Sequence, residues 1–467
     1  MKKNILYIFT IITLAYSCTS DDDFSSDSNL SLAFSSDKVS FDTVFATIGS
    51  ATKQFKVYNR NNNSLVIESI ELMSAGESGF RINVDGEKGT RLENVEILKK
   101  DSLFGFVEVT VDPQNTSSPV LIRDSIKFVT NGNIQFLQLE AIGQDVIIWK
   151  TKTITKDSVI TNTKPLLIYD SIVIKKNTSL TIEKGVKFFM KNKSSIQTYG
   201  TLKMNGTVDE PIVFRGSRFD KIEGDIPYDN VPGQWNGIYI YPGSYDNHLE
   251  NVYVRNATRG ITFYASDVQY NKASLMNVAV HNSAEYCMSA TNSKIDAANC
   301  LFSNSKSTSV LLHGGEYTFL HCTIANYYRW SARQSSALLL SNFVDIGIQT
   351  PLGRCDFINS IIYGSLTEEV MFNEKSPQDF NYQFISSLIK RKETDAPQFK
   401  DIIWNKNPLF RDLNSKGIYN YNFELSSGSP AINEADKSYS LSVPFDLKGR
   451  SRLSDSGPDI GCYEWVQ

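Results

Sequence analysis

Six short stretches between residues 249 and 391 repeat one another: "LENVYVRNA", "SLMNVAVHNS", "DAANCLFSNS", "FLHCTIANY", "FINSIIYGS" and "FISSLIKR". Superposing the first five puts Val252, Val278, Cys300, Cys322 and Ser360 in one column, at steps of 26, 22, 22 and 38 residues. Two positions on, Val254, Val280, Phe302, Ile324 and Ile362 are all apolar. Just before the centre stand Asn251, Asn277, Asn299, His321 and Asn359; four positions after it stand Asn256, Asn282, Asn304 and Asn326, with Gly364 in the fifth copy. A unit of this size cannot bury its own apolar face and has to stack on its copies. Short alternating runs with no helical segment between them make the stack a parallel β-solenoid, with coils ~4.8 Å apart. Asparagine columns suit its tight turns, because Asn tolerates left-handed backbone angles and its amide bonds neighbouring backbone or the next Asn. The 38-residue step implies an extra loop within 327–353.

Earlier coils are visible in 165–216, where short alternating strands follow at tight spacing. "LTIEKGVKFFM" (180–190), "IQTYGTLKMNGTVDEPIVFRG" (196–216) and "PGQWNGIYI" (232–240) resemble the opening coils of secreted right-handed parallel β-helix proteins of the pectin-lyase-like fold. "NPLFRD" (407–412), "FELSSGSPAIN" (423–433) and "GPDIGCYE" (457–464) resemble the closing segment of many such bacterial surface proteins. The resemblance spans 155–467 and implies a right-handed parallel β-helix with a C-terminal closing segment. "SRFDKIEGDIPYDNV" (217–231) interrupts the coils and reads as an exposed polar loop.

Residues 30–146 alternate differently. "KVSF", "QFKVYN", "SLVIESIEL", "FRINV", "FGFVEVTV", "DSIKFVT" and "IQFLQLEAIG" carry apolar residues at every second position, with turn residues between the runs. Many short strands in this length predict an antiparallel sandwich. No cysteine lies between 19 and 286, so an inter-sheet disulfide is excluded. "VFATIGSATKQFKVYNRNNNSLVIESIEL", "VDPQ" (111–114) and "LEAIGQDV" (139–146) resemble the Hydin-type Ig-like sandwich, which implies a spacer or interaction module. The fold class expected is therefore all-β, an N-terminal Ig-like β-sandwich followed by a β-helix solenoid.

At the N-terminus, Lys2 and Lys3 precede an apolar run, Ile5–Ala15, too short to span a bilayer. "LAYSC" (14–18) resembles a bacterial lipobox. That implies a lipoprotein signal peptide over 1–17, lipid attachment at Cys18, and a membrane anchor made by buried acyl chains. The acidic, Ser-rich stretch 18–29 reads as a flexible tether, and Asp21–Asp23 resemble an export signal to the cell surface. The expected location is lipid-anchored at the outer membrane, at the cell surface or otherwise on the periplasmic face.

Charge narrows the partners. Lys plus Arg total 47 against 51 Asp plus Glu, a net charge of −4, which supplies no basic excess for nucleic acid. A hydrolase needs two or three acids facing a groove. The Asn-Thr-Asp and Asp-Asp signatures of polygalacturonase-type members are missing from the coils, as is the Asp-Pro-His motif of uronate epimerases. A calcium-dependent lyase needs clustered carboxylates and a basic residue. No D-x-D cluster occurs in the coils, so no cofactor is expected and calcium lacks support. Asp267, Lys272, Lys294, Asp296, Glu316 and Arg329 flank consecutive coils as catalytic candidates, or as a charged strand edge that blocks aggregation. The four histidines, His248, His281, His313 and His321, share no metal-ligand spacing, so no metal site is expected. Cys300 and Cys322 share a column and read as reduced, buried, small hydrophobes.

Tyr239, Tyr241, Tyr245, Tyr327, Tyr328 and Trp330 are candidates for stacking on sugars, or for packing between coils. The reading that follows is a monomeric surface lipoprotein whose β-helix binds a polysaccharide or a surface protein without catalysis. The alternatives are a polysaccharide lyase or glycoside hydrolase, and a structural component of the cell envelope.

Overall fold

The structure, a computed structural model, describes residues 23–466 except 223, 224, 346 and 347. Cys18 and the segment 1–17 lie outside the described residues. The chain is all-β and divides into two compact units, with the boundary between Asp145 and Val146.

In the first unit, two five-stranded sheets enclose one core. One sheet runs, in spatial order, Ala33–Phe34, Lys53–Tyr58, Ser102–Val109, Phe80–Val84 and Glu87–Gly89. The other runs Lys38–Phe45, Asn133–Gln144, Val120–Thr130, Leu65–Leu72 and Arg91–Ile97. Lys38–Phe45 and Asn133–Gln144 pair in parallel; the other pairings are antiparallel. Alternation sends Phe55, Val57, Val107 and Val109 inward to meet Ile126, Phe128, Leu137 and Leu139. Gly105 interrupts the run "FGFVEV" because a Cβ there would collide with the Phe55 ring.

The described part of the acidic stretch does not run free as a tether. Ser25 N–H donates to the Ser64 carbonyl, and Asn131 and Asn133 side chains hold the carbonyls of Asp27 and Ser28. Backbone bonding outweighs its polar composition there.

The second unit stacks its strands in three parallel columns. Sheet A contains Leu166–Ile168, Lys187–Met190, Leu301–Ser305, Thr323–Asn326 and Ile361–Gly364. Sheet B contains Ser171–Ile174, Ser195–Thr198, Trp235–Ile240, Ala257–Phe263 and Leu338–Ser341. Sheet C contains Ser179–Glu183, Thr201–Asn205, Leu352–Ile358 and Gln383–Ile385. Long strands such as Asn247–Arg255 and Ala273–Ser283 pass from C to A through a bend. The repeat column appears as direct pairing, Val254 to Val280, Val280 to Phe302, Phe302 to Ile324 and Ile324 to Ile362. Inside sheet C, rings of Phe319, Phe357, Phe384 and Phe399 stack 4.8–5.1 Å apart.

The asparagine column sits at the bend from C to A. Asn251, Asn277, Asn299, His321 and Asn359 all have φ of 50–56°. That left-handed backbone favours Asn, and His is among the residues that tolerate it best. The amides bond up the stack, Asn277 to Asn251 at 3.1 Å and Asn299 to Asn277 at 3.0 Å. His321 takes an asparagine place because its ring reaches sideways: Nε2 lies 2.8 Å from Ser440 Oγ and 3.1 Å from Asn359 Nδ2. Burial pushes its pKa well below the usual value, so it is neutral.

Ser440 belongs to the closing segment, which lies along the solenoid's flank. Phe410, Phe423, Leu425, Leu447 and Ile460 pack with Leu301, Ala325, Ile361 and Leu388 on the outer side of sheet A. Arg452, fully buried, anchors it. Its Nη1 donates to Glu464 Oε1 at 2.5 Å, and its Nη2 to Asn299 Oδ1 at 2.8 Å and the Gly461 carbonyl at 3.0 Å. The "GPDIGCYE" motif is thus a clasp on the asparagine column.

The 38-residue step is not one loop. Leu338–Ser341 is a proper strand of sheet B inside 327–353, flanked by two insertions. Buried Arg333 and Glu369 tie the first of them to the next coil. Gly364 stands where other copies have Asn because a Cβ there would strike Glu369 Oε1. The 217–231 interruption is also held: Asn256 and Asn282 donate to the carbonyls of Asp229 and Asn230. Cys287, Cys300, Cys322, Cys355 and Cys462 are all buried thiols outside any disulfide.

Candidate functional site

The chain's own closing segment covers the later coils of sheet A, whereas the outer face of sheet C carries a charged surface. Alternation exposes every second residue. Register pairing lines up Lys203, His248, Ser274, Asp296, Thr318, Asp356 and Gln383 in one outward column. Lys294, Glu316 and Arg354 form a second.

Lys294, Asp296 and Glu316 are therefore brought together, with two residues the repeat reading missed, Arg354 and Asp356. Lys294 Nζ lies 3.7 Å from Glu316. Arg354 reaches Asp296 at 3.8 Å and Asp356 at 3.4 Å, and also donates to Thr318 Oγ1. Burial pushes the Asp356 carboxyl above the usual range, with Arg354 pulling the other way. The signal was present: aligning Phe357 with Phe319 puts Asp356 in the column of Asp296.

Arg354 and Asp356 open onto a cavity of about 570 Å³, lined also by Phe380, Tyr382, Gln383 and Gln398. Tyr382 is held by the Phe372 and Phe380 rings at 4.5 and 5.3 Å. A fixed ring, a guanidinium, a carboxylate and the amides of Asn381, Gln383 and Gln398 are thus gathered around one hollow. Among the described residues, no three of His, Cys, Asp and Glu are grouped to hold a metal ion.

The other candidates fall elsewhere. Asp267 lies in the turn from B to C, where its side chain accepts from Gln269 N–H and its backbone N–H donates to Tyr245 Oη. Tyr328 is buried, and the Trp330 ring is stacked on Tyr419 at 4.0 Å, so neither offers an open ring. Tyr241 and Tyr245 stand in a tyrosine-rich corner between B and C.

Lys272 is not part of a charged edge; it is fully buried beneath that corner. Its Nζ donates to the Tyr241 carbonyl and Ser266 Oγ, both at 2.6 Å. Burial pushes its pKa down to about 8 from 10.5. The folded state then binds fewer protons than the unfolded one between those pH values, so stability rises with pH across that window. Wild type is expected to gain up to about 3 kcal/mol over Lys272→Met between the two pH values. Paired denaturation curves check this, and a stability difference that does not change with pH would refute it.

These features define a class: a two-unit all-β protein, a sandwich followed by a parallel β-solenoid with a cavity-bearing charged face. No family model matches the chain, and no curated protein matches it. Among solved structures it is similar in part to a family 123 glycoside hydrolase from Clostridium perfringens, described in a study of glycolipid glycan hydrolysis. The match covers 27% of this chain and 30% of that one, at 5% identity and a TM-score of 0.19.

Proposed function

We propose that this protein is a lipid-anchored surface protein that binds a polysaccharide on the outer face of sheet C, without catalysis. The observation that carries the reading is the cavity where Arg354, Asp356 and Tyr382 meet. Sugars are bound by rings against their C–H faces and by planar polar groups on their hydroxyls, and this hollow supplies both. The carboxylates beside it are engaged by Arg354 and Lys294, which suits holding a ligand better than attacking one. The anchor at Cys18 belongs to the same proposal and rests on the lipobox.

A second reading, glycoside hydrolysis, has one observation behind it. Asp356 carries a raised carboxyl pKa, as a general acid requires, and Asp296 stands two coils away, about 10 Å by coil spacing.

A glycan array probed with the purified full chain is expected to find at least one polysaccharide ligand. Arg354→Ala is expected to weaken its binding at least about tenfold. The bound glycan should yield no new reducing ends and no unsaturated product on incubation. Turnover abolished by Asp356→Asn would replace the binding reading with the enzymatic one.

A further inference from the structure

The corner between sheets B and C carries a row of tyrosines that the cavity does not use. Tyr199, Tyr241 and Tyr264 stack at 4.3 and 4.9 Å with nearly parallel rings, one per coil. Tyr270, more than half exposed, leans on Tyr245 at 5.3 Å. Tyr199 is exposed and Tyr241 and Tyr264 are half-buried, so the stack presents a strip of phenol rings to solvent at coil spacing. Burial, assisted by the neighbouring tyrosines, pushes Tyr241 up to about 12, so it remains a neutral phenol. On sheet B the outward cation Arg259 is bound to Glu285 at 2.5 Å, and exposed Lys175 ends the row, one coil before Tyr199.

Charge on the adjoining sheet C face points the same way. Glu250, Asp296, Glu316 and Asp356 stand there against Lys203, Lys294 and Arg354, and Lys294 and Arg354 already face carboxylates. Such a face, on a chain of net charge −4, does not draw in a polyanion. Coil counting places Tyr264 three coils, about 14 Å, from Asp356 along the axis. One extended oligosaccharide can span both.

We propose that the tyrosine corner is a second contact for the same ligand, and that this ligand is an uncharged glycan. This rests on the glycan-binding reading of the cavity. Binding at the corner uses ring edges and phenol hydroxyls against sugar C–H and O–H groups, so it is insensitive to salt.

The test is calorimetric titration of the full chain with neutral polymers (laminarin, dextran, xylan) and acidic ones (polygalacturonate, alginate). Wild type, Tyr241→Ala/Tyr264→Ala, the exposed end-ring variant Tyr199→Ala, and Arg354→Ala are compared, with circular dichroism to establish folding. Salt-insensitive binding of a neutral polymer, weakened about tenfold in the double tyrosine variant and less in Tyr199→Ala, supports the proposal. If the double variant does not fold, Tyr199→Ala carries the comparison. Neutral binding lost in Arg354→Ala but unchanged in the folded tyrosine variants overturns the corner while the cavity reading stands. Binding confined to an acidic polymer and weakened by salt overturns the uncharged class. Failure to bind any polymer overturns this proposal and the proposed function together.

Discussion

Replacing Arg452 with methionine is expected to destabilise the closing segment by about 3–5 kcal/mol above pH 8, where Glu464 is ionised in the wild type. The guanidinium is fully buried and holds Glu464, Asn299 and the carbonyls of Asp459 and Gly461. Methionine keeps the apolar stem but leaves a buried carboxylate and three acceptors without their donor. Glu464 is already pushed up to about 8 by burial, against the pull of Arg452. In the variant, protonation of Glu464 removes the stranded charge. A group with a raised folded pKa contributes stability at low pH that is lost as pH rises. The defect should therefore be smaller near the unfolded value, 4.5, than above pH 8. Denaturation followed through Trp465, with proteolysis mapped across 407–465, reads both effects. A loss below about 1 kcal/mol would mean that Arg452 does not hold the segment.

The Arg333–Glu369 pair is expected to behave similarly, for a geometric reason that can be isolated. Arg333 donates to both carboxylate oxygens, at 2.8 and 2.5 Å, and Glu369 also accepts from the N–H groups of Ala337 and Leu366. Both side chains are 2% exposed or less. Glu369→Gln preserves shape but strands the buried guanidinium, at a cost of about 3–5 kcal/mol. Arg333→Met/Glu369→Leu removes both charges, so it should cost less than either single change. A double variant as unstable as the sum of the singles would show that the two groups act independently.

What could be read beforehand follows from what a repeat encodes. Each copy around Val252, Val278, Cys300 and Cys322 repeats the alternation of a strand and the left-handed Asn of a bend, so the solenoid was visible. The repeat places His321 in the asparagine column, and only the closing segment, through Ser440, explains the choice of His. That segment has no period, so nothing in its residues reveals that "GPDIGCYE" lies along sheet A. Arg354 and Asp356 were hidden by a step that contains two insertions and a strand of its own. Lys272 was misplaced for a general reason: lysine is almost never fully buried, so composition points it outward. The clustering of Lys294, Asp296 and Glu316 was visible because they lie in adjacent, uninterrupted coils.

The account's central claim is that the open face of sheet C, and not the covered face of sheet A, meets the ligand. Hydrogen–deuterium exchange of the full chain, with and without the glycan identified on the array, tests it directly. Slowed exchange on binding is expected within 294–298, 316–320, 352–358 and 380–383. Protection confined to 407–465 and the strands beneath it, with these segments unchanged, would contradict the account.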